Sequence, residues 1–241
     1  MDAMVTHIEV VADPPKLAAR VAEWMTATAT AAEGRFRVAL SGGSTPKTLY
    51  ALLASDQFRS RFPWHRVEWF WGDERFVPCD DPESNYRMAR EAMFAKAPVP
   101  PENIHPIPTD GDPEEAARRY ERTLKQAYGS PTLDPARPFF DITLLGLGED
   151  GHTASLLPGD KLLDERKRWV AAVLHGRPEI RITLTYPVLE SSRYVAFLVS
   201  GKGKAAALSR IRAGDSLLPA ARVHPVGELI WFVDRIAATG S

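Results

Sequence analysis

The chain has 241 residues, 44% hydrophobic and 25% charged, with a formal net charge of −1. So little net charge excludes a general nucleic-acid binder held by bulk electrostatics, and no apolar run approaches the length of a membrane span. The only cysteine, Cys79, excludes an intrachain disulfide and fits a reducing compartment.

The start, Met1-Asp2-Ala3-Met4, has neither the basic segment nor the apolar core of a signal peptide. The expectation is a cytoplasmic protein without nucleic-acid or membrane partners. Residues 7–11 make the first β-prone run. Asp13-Pro14 then opens a helix running toward Gly34. The aspartate offers a capping oxygen, and proline at the first helical position loses an N–H that had no partner anyway. Phe36–Leu40 and Val67–Trp71 are the next strands. Ser84 caps a helix over residues 85–97 that stops before Pro98, and Asp112-Pro113-Glu114-Glu115 opens another that ends near Gly129. Further strands are read at 141–145, Arg181–Leu184 and 194–199, a helix at 202–213 closed by Gly214, and a last strand at 229–233. Most strands are near-continuous apolar runs, the mark of burial on both faces. Strands alternating with helices predict an α/β fold with a mostly parallel sheet and helices on both faces. The proline-rich connectors at 98–101 and 131–138 are too short and too apolar for flexible linkers, and no internal repeat is visible.

Phe36–Leu40 runs into Ser41-Gly42-Gly43-Ser44-Thr45-Pro46-Lys47. Paired glycines let the backbone come close to a ligand. Ser44 or Thr45 is expected to cap the next helix, with Pro46 at its first position. Free N–H groups there, together with the helix dipole, make an anion site. The Gly-x-x-x-x-Gly-Lys-Ser/Thr spacing of a triphosphate loop is absent. A plain strand-to-helix turn is the alternative reading of this segment taken alone.

A second glycine-rich turn follows residues 141–145: Gly146-Leu147-Gly148-Glu149-Asp150-Gly151-His152-Thr153-Ala154-Ser155. Its first six residues match Gly-x-Gly-x-x-Gly, but a dinucleotide site needs a helix to start there. Pro158 and Gly159 interrupt any such helix, and Glu149 and Asp150 stand where a pyrophosphate would go. A nicotinamide cofactor is therefore disfavoured. Histidine moves protons near neutral pH, and a carboxylate two residues away can orient it, which is half of a general-base device. Ser155 as nucleophile is the rival reading, although the chain has no Gly-x-Ser-x-Gly elbow. A histidine that merely closes the turn is the bland one.

Val67–Trp71 ends in Gly72-Asp73-Glu74-Arg75. Arg75 suits bidentate binding of a phosphate or carboxylate, and Asp73 suits a sugar hydroxyl or a water. A surface ion pair is the plain alternative. Arg181 at a strand start, and Lys202 and Lys204 after Ser200-Gly201, are the remaining cationic candidates. Cys79 has no histidine near it in sequence and is read as inert. No His-Glu-x-x-His or paired-cysteine spacing occurs, so no metal site is expected.

Taken in order, these segments, together with Asp81-Pro82-Glu83-Ser84-Asn85-Tyr86, Arg181-Ile182-Thr183-Leu184-Thr185, Leu218-Pro219-Ala220 and residues 231–234, resemble the 6-phosphogluconolactonase family over nearly the whole chain. The resemblance implies a single Rossmann-like α/β domain over residues 1–241, related to the sugar-phosphate isomerases and deaminases. It implies hydrolysis of 6-phosphoglucono-1,5-lactone, no cofactor, and a sugar-phosphate lactone as the small-molecule partner of a monomer or small homo-oligomer. By the match, His152 is the general base with Asp73 and Asp150 beside it. Ser41, Gly42, Gly43, Ser44, Thr45, Arg75, Arg181 and Lys204 would hold phosphate and sugar. The alternatives are glucosamine-6-phosphate deaminase, similar at the phosphate loop and at Asp-Gly-His, and a non-catalytic sugar-phosphate-binding regulator. In the deaminases the histidine opens a segment resembling His-Ile-Ala-Phe-Asn-Glu-Pro. Here Leu157 stands in that glutamate's place.

Overall fold

The computed structural model describes residues 6–240, so the start read above, Met1 to Met4, lies outside it. The elements run β1 (Thr6–Val11), α1 (Pro14–Ala31), β2 (Phe36–Leu40), α2 (Ser44–Leu53), α3 (Asp56–Arg59), β3 (Val67–Trp71), β4 (Asp73–Arg75), α4 (Asn85–Ala89), α5 (Pro113–Tyr128), β5 (Phe140–Gly146), β6 (Val170–Val173), β7 (Arg181–Leu184), α6 (Tyr186–Glu190), β8 (Ser192–Val199), α7 (Ala205–Arg212), β9 (Glu228–Asp234) and α8 (Arg235–Thr239). Six strands form a sheet in the order β1-β9-β8-β5-β2-β3, every pair parallel, flanked by helices. Its central strands carry side chains buried on both faces, such as Leu144 and Leu145 on β5 and Phe197 and Leu198 on β8, which accounts for their unbroken apolar runs.

The helix starts follow their local chemistry. Asp13 accepts from the Lys16 N–H at 2.8 Å, Ser84 from Arg87 at 3.1 Å and Asp112 from Glu115 at 2.9 Å. The α5 helix closes on Gly129 in the left-handed conformation, φ 79°. Other helices differ from expectation. The α1 helix ends at Ala31, short of Gly34. The helix read over 85–97 is one α-turn followed by a wider π-turn, Arg90–Phe94. The helix read from 202 begins as a tight turn, Lys202–Lys204, before α7. Among the described residues, no helix is long and apolar enough to cross a membrane.

One strand was expected in the parallel sheet and lies elsewhere. Arg181–Leu184 is the middle strand of a second sheet, β4-β7-β6, antiparallel throughout. Its partners carry weak signals: β4 is the polar tripeptide Asp73-Glu74-Arg75, and half of the four-residue β6 is alanine, which has little strand preference. Gly72 joins the two sheets, its N–H donating to the Leu40 carbonyl and its carbonyl accepting from Leu184, both at 2.8 Å.

Two buried tyrosines hold the strand ends next to this junction. The Tyr50 hydroxyl, from α2, accepts from the Ser41 N–H at 3.0 Å and donates to the Ser41 carbonyl at 2.8 Å. The Tyr120 hydroxyl, from α5, treats Trp71 in the same way at 2.8 and 3.1 Å. Burial pushes both phenols far above their ordinary range, so they stay neutral and serve as donor and acceptor together. Tyr50→Phe leaves two buried backbone groups without a partner. The expected loss is about 2 kcal/mol, read as a fall in Tm of about 4–8 °C in a thermal melt. An unchanged Tm would mean that water replaces the hydroxyl without penalty.

Candidate active site

Strands β2 and β5 pair over only two residue pairs, Val38 with Ile142 and Ala39 with Thr143. Past them the chain leaves β2 toward the β3 edge of the sheet and leaves β5 toward β8 and the other edge. A parallel sheet opens its ligand crevice at such a reversal, outside the carboxyl ends of the strands. A cavity of about 310 Å³ lies there. Ser41, Gly42, Gly43, Ser44, Thr45, Asp73, Arg75, His152, Arg181 and Lys204 all line it. Asp150 does not: it stands behind His152.

The cradle after β2 departs from its expected cap. Gly43, with φ 103°, occupies the cap position; Ser44 is the first helical residue and Pro46 the third. Among the described residues, no side chain accepts from the N–H groups of the first turn of α2. The start of this helix is thus left open to an anion, with the helix dipole behind it. Gly42 is required by crowding: a Cβ there would lie 2.0 Å from Asn85 Oδ1. Asn85 is tied down by its Nδ2, which donates to the Asp73 carbonyl at 3.0 Å. Its backbone N–H donates to Glu74 at 2.7 Å, and Tyr86 and Ser84 bond the same carboxylate. Burial raises the Glu74 carboxyl above its ordinary range although three backbone N–H groups pull it down.

The turn after β5 is closed by its own backbone. Gly148 donates to the His152 carbonyl at 2.8 Å, and Gly151 to the Gly148 carbonyl at 3.0 Å. No helix starts there, so the Gly-x-Gly-x-x-Gly match has no dinucleotide geometry; the next helical turn is Lys161–Asp164. A Cβ on Gly148 would fall 1.9 Å from His152 Nδ1, so only glycine leaves room for the ring. Ala154, on the cavity wall, holds φ 47°, a strained conformation for a residue with a Cβ.

Asp150 Oδ1 lies 2.5 Å from His152 Nδ1 and accepts the His152 backbone N–H at 3.1 Å, while Oδ2 accepts from Arg177 Nη2 at 2.7 Å. Burial acts to raise the Asp150 carboxyl, but the His152 N–H, the imidazole and Arg177 outweigh it and hold the group well below the usual carboxylate range. An ionised carboxylate can only accept, so a proton on Nδ1 is what makes this contact a bond, and in the neutral ring that leaves the lone pair on Nε2.

Ser155 is not placed to attack anything. It is 1% exposed, and its hydroxyl donates to Asp73 Oδ2 at 2.7 Å. Its part is to orient Asp73, whose Oδ1 has no hydrogen-bond partner among the described residues.

The cations converge through the second sheet. Its register sets Arg75 directly opposite Arg181, and both line the cavity. Like charges opposed in this way are destabilising unless something between them is negative. Arg75 is partly satisfied by Glu83, at 2.6 Å to the carbonyl and 3.1 Å to the carboxylate. Arg181 has Glu179 at 3.6 Å, yet its buried Nε has no partner among the described residues. Lys204 makes no ion pair among them, whereas Lys202 stays off the cavity.

Reading the sequence alone missed Arg177, and named Ser200 and Asn85 only within longer segments. Asn85 and Ser200 line the cavity, and Arg177 backs the histidine. Ser200 follows an apolar strand end, a signal open to notice. Arg177 lies between Gly176 and Pro178 and carries no local mark.

Residues 12–231 match the family described as glucosamine-6-phosphate isomerases/6-phosphogluconolactonase. The 6-phosphogluconolactonase of Nostoc sp. is 40% identical over 238 residues, covering 95% of this chain and 96% of its own. That of Rattus norvegicus is 40% identical over 244 residues, covering 96% and 92%. The crystal structure of 6-phosphogluconolactonase from Thermotoga maritima superposes with a TM-score of 0.81 at 32% identity, covering 95% of this chain and 100% of the other. On fold, arrangement and these similarities, the chain belongs to the 6-phosphogluconolactonase family.

Proposed function

We propose that the chain hydrolyses 6-phospho-D-glucono-1,5-lactone to 6-phospho-D-gluconate, with His152 as general base. The observation that carries this reading is the single cavity in which His152 faces three cations and one carboxylate. That surplus of two positive charges matches a phosphate monoester, which carries about −1.5 to −2 at neutral pH. The cavity volume falls at the small-ligand end of the usual range of ~300–1,000 Å³.

A lactone is an activated ester, so modest chemistry suffices. His152 Nε2 takes a proton from the water that attacks C1, and Asp150 stabilises the imidazolium that forms. The tetrahedral carbon carries an oxyanion, which the nearby cations and N–H groups stabilise. The C1–O5 bond then breaks as the imidazolium returns its proton to the ring oxygen, leaving a carboxylic acid that ionises in water. Arg75, Arg181, Lys204 and the open start of α2 hold the phosphate, and Asp73 holds a sugar hydroxyl or the attacking water. The names of the relatives agree with this chemistry.

The direct test is lactone hydrolysis corrected for spontaneous opening; no acceleration over the uncatalysed rate would sink the reading. The deaminase alternative is separated by a second assay. Ring opening and isomerisation of glucosamine 6-phosphate need a further proton relay, and Leu157, buried against Gly176, cannot act as one. The expected result is no ammonia release from glucosamine 6-phosphate beside rapid lactone hydrolysis. Comparable turnover of both would hand the missing role to another carboxylate, Glu149 being the first to examine.

A further inference from the structure

We propose that Arg177 is a positioning residue for this reaction, fixing the tautomer of His152 through Asp150. The inference rests on the lactonase reading above, with His152 as the base. One guanidinium nitrogen, Nη2, sits 2.7 Å from Asp150 Oδ2 and 2.9 Å from His152 Nδ1. The other carboxylate oxygen, Oδ1, sits 2.5 Å from the same Nδ1. A guanidinium only donates and an ionised carboxylate only accepts.

Two arrangements compete. If Nδ1 were bare, Arg177 could donate to it, but its lone pair would face a carboxylate lone pair at 2.5 Å. If Nδ1 carries the proton, it donates to Oδ1, and Arg177 donates to Oδ2. Only the second turns both short carboxylate contacts into bonds. It sets two donors side by side with the carboxylate between them, and it frees Nε2 toward the cavity. Arg177 therefore does two things. It stops the Asp150 carboxylate from turning away from the ring, and it sets a positive charge beside an imidazolium that must not last. Asp150 favours the charged ring and Arg177 disfavours it, so the proton taken from water is readily passed on.

The loop is built to hold this arginine. Gly176, at φ 84°, lets the backbone pass close to Leu157: a Cβ there would lie 2.8 Å from Leu157 Cδ1. Pro178 restricts the chain on the other side. Arg177 is not among the residues lining the cavity; its contacts are with Asp150 and His152, through which its effect would reach the substrate. The charged groups facing the ring are Asp150 and Arg177 behind it, and Asp73, Arg75, Arg181 and Lys204 across the cavity. All except Arg177 are retained in the variants below.

The test compares Arg177→Ala and Arg177→Lys in the full chain, after a thermal melt shows each is folded. Arg177→Gln takes the place of the alanine variant if that one does not fold. For Arg177→Ala, kcat on the phosphorylated lactone should fall about 10–100-fold with KM roughly unchanged, the usual effect of a misplaced catalytic group. The acid limb of the kcat/KM profile should move to higher pH, because a cation beside the ring has gone. Arg177→Lys should restore most of both, since a single nitrogen makes both contacts. A readout free of turnover is the ¹⁵N spectrum of the His152 ring: one tautomer, protonated at Nδ1, in the unaltered chain and a mixture in Arg177→Ala. An unchanged kcat, acid limb and tautomer would overturn the proposal. A KM rise confined to the phosphorylated lactone would also overturn it, by moving Arg177 into phosphate binding. If the unaltered chain fails to hydrolyse the lactone, the activity reading falls, and the ring spectrum still decides whether Arg177 fixes the tautomer.

Discussion

His152→Ala is expected to lower kcat on the phosphorylated lactone about 10²–10⁴-fold, the range lost when a general base is removed. KM should change little, because the cations of the cavity are untouched. The motive is the geometry of the closed turn: Gly148 makes room for the ring, and Asp150, held ionised, accepts from Nδ1. Spontaneous lactone opening sets a floor that must be subtracted before the loss is read. Since Asp150 stays ionised far into the acid range, the acid limb of the wild-type pH profile should not follow the Asp150 carboxylate. Near-normal turnover by a folded His152→Ala protein would show that water is activated elsewhere, and Asp73 would be the first residue to examine.

The second large effect is expected at the cations. Lys204→Ala should raise KM for the phosphorylated lactone about 10–100-fold while leaving unphosphorylated gluconolactone nearly unaffected. A hydrogen bond to a charged group contributes about 1.5–3 kcal/mol, and each 1.4 kcal/mol is tenfold. Lys204 is the cleaner probe, because it makes no ion pair among the described residues and its charge faces the cavity. Arg75→Ala should act in the same direction but leaves Glu83 without its partner. Part of its effect will therefore be displacement of the 81–86 loop. Equal effects on both lactones would take these side chains out of phosphate binding.

The legible parts of this protein were those with local signals. Both glycine-rich turns could be found because each follows an apolar run and breaks it sharply. The three helix caps could be found because an aspartate or serine stood at the right offset. The cap of α2 could not, since Gly43 takes that position by conformation and not by a side-chain oxygen. Strand β4 was hidden because three polar residues in a row carry no period. With β4 hidden, the pairing of Arg75 with Arg181 is invisible too, although each arginine is a cationic candidate on its own. Ser155 shows how chain proximity misleads: it stands three residues from His152 in sequence, yet its hydroxyl belongs to Asp73. Arg177 is the extreme case, a loop arginine whose partners are set entirely by the tertiary fold.

The opposed arginines bear on how the protein is handled. A cleft with two guanidinium groups across one strand pair is expected to attract small dianions from solution. If the proposed phosphate site is right, phosphate or sulfate in a purification or assay buffer is expected to bind there, compete with the substrate, and raise the apparent KM in proportion to its concentration. The same ions will raise the melting temperature, because a ligand that binds only the native state stabilises it by RT ln(1 + [L]/Kd). Preparations kept in phosphate will therefore look more robust and less active than those kept in a monovalent organic buffer. Dialysis between the two should interconvert the behaviours without any covalent change.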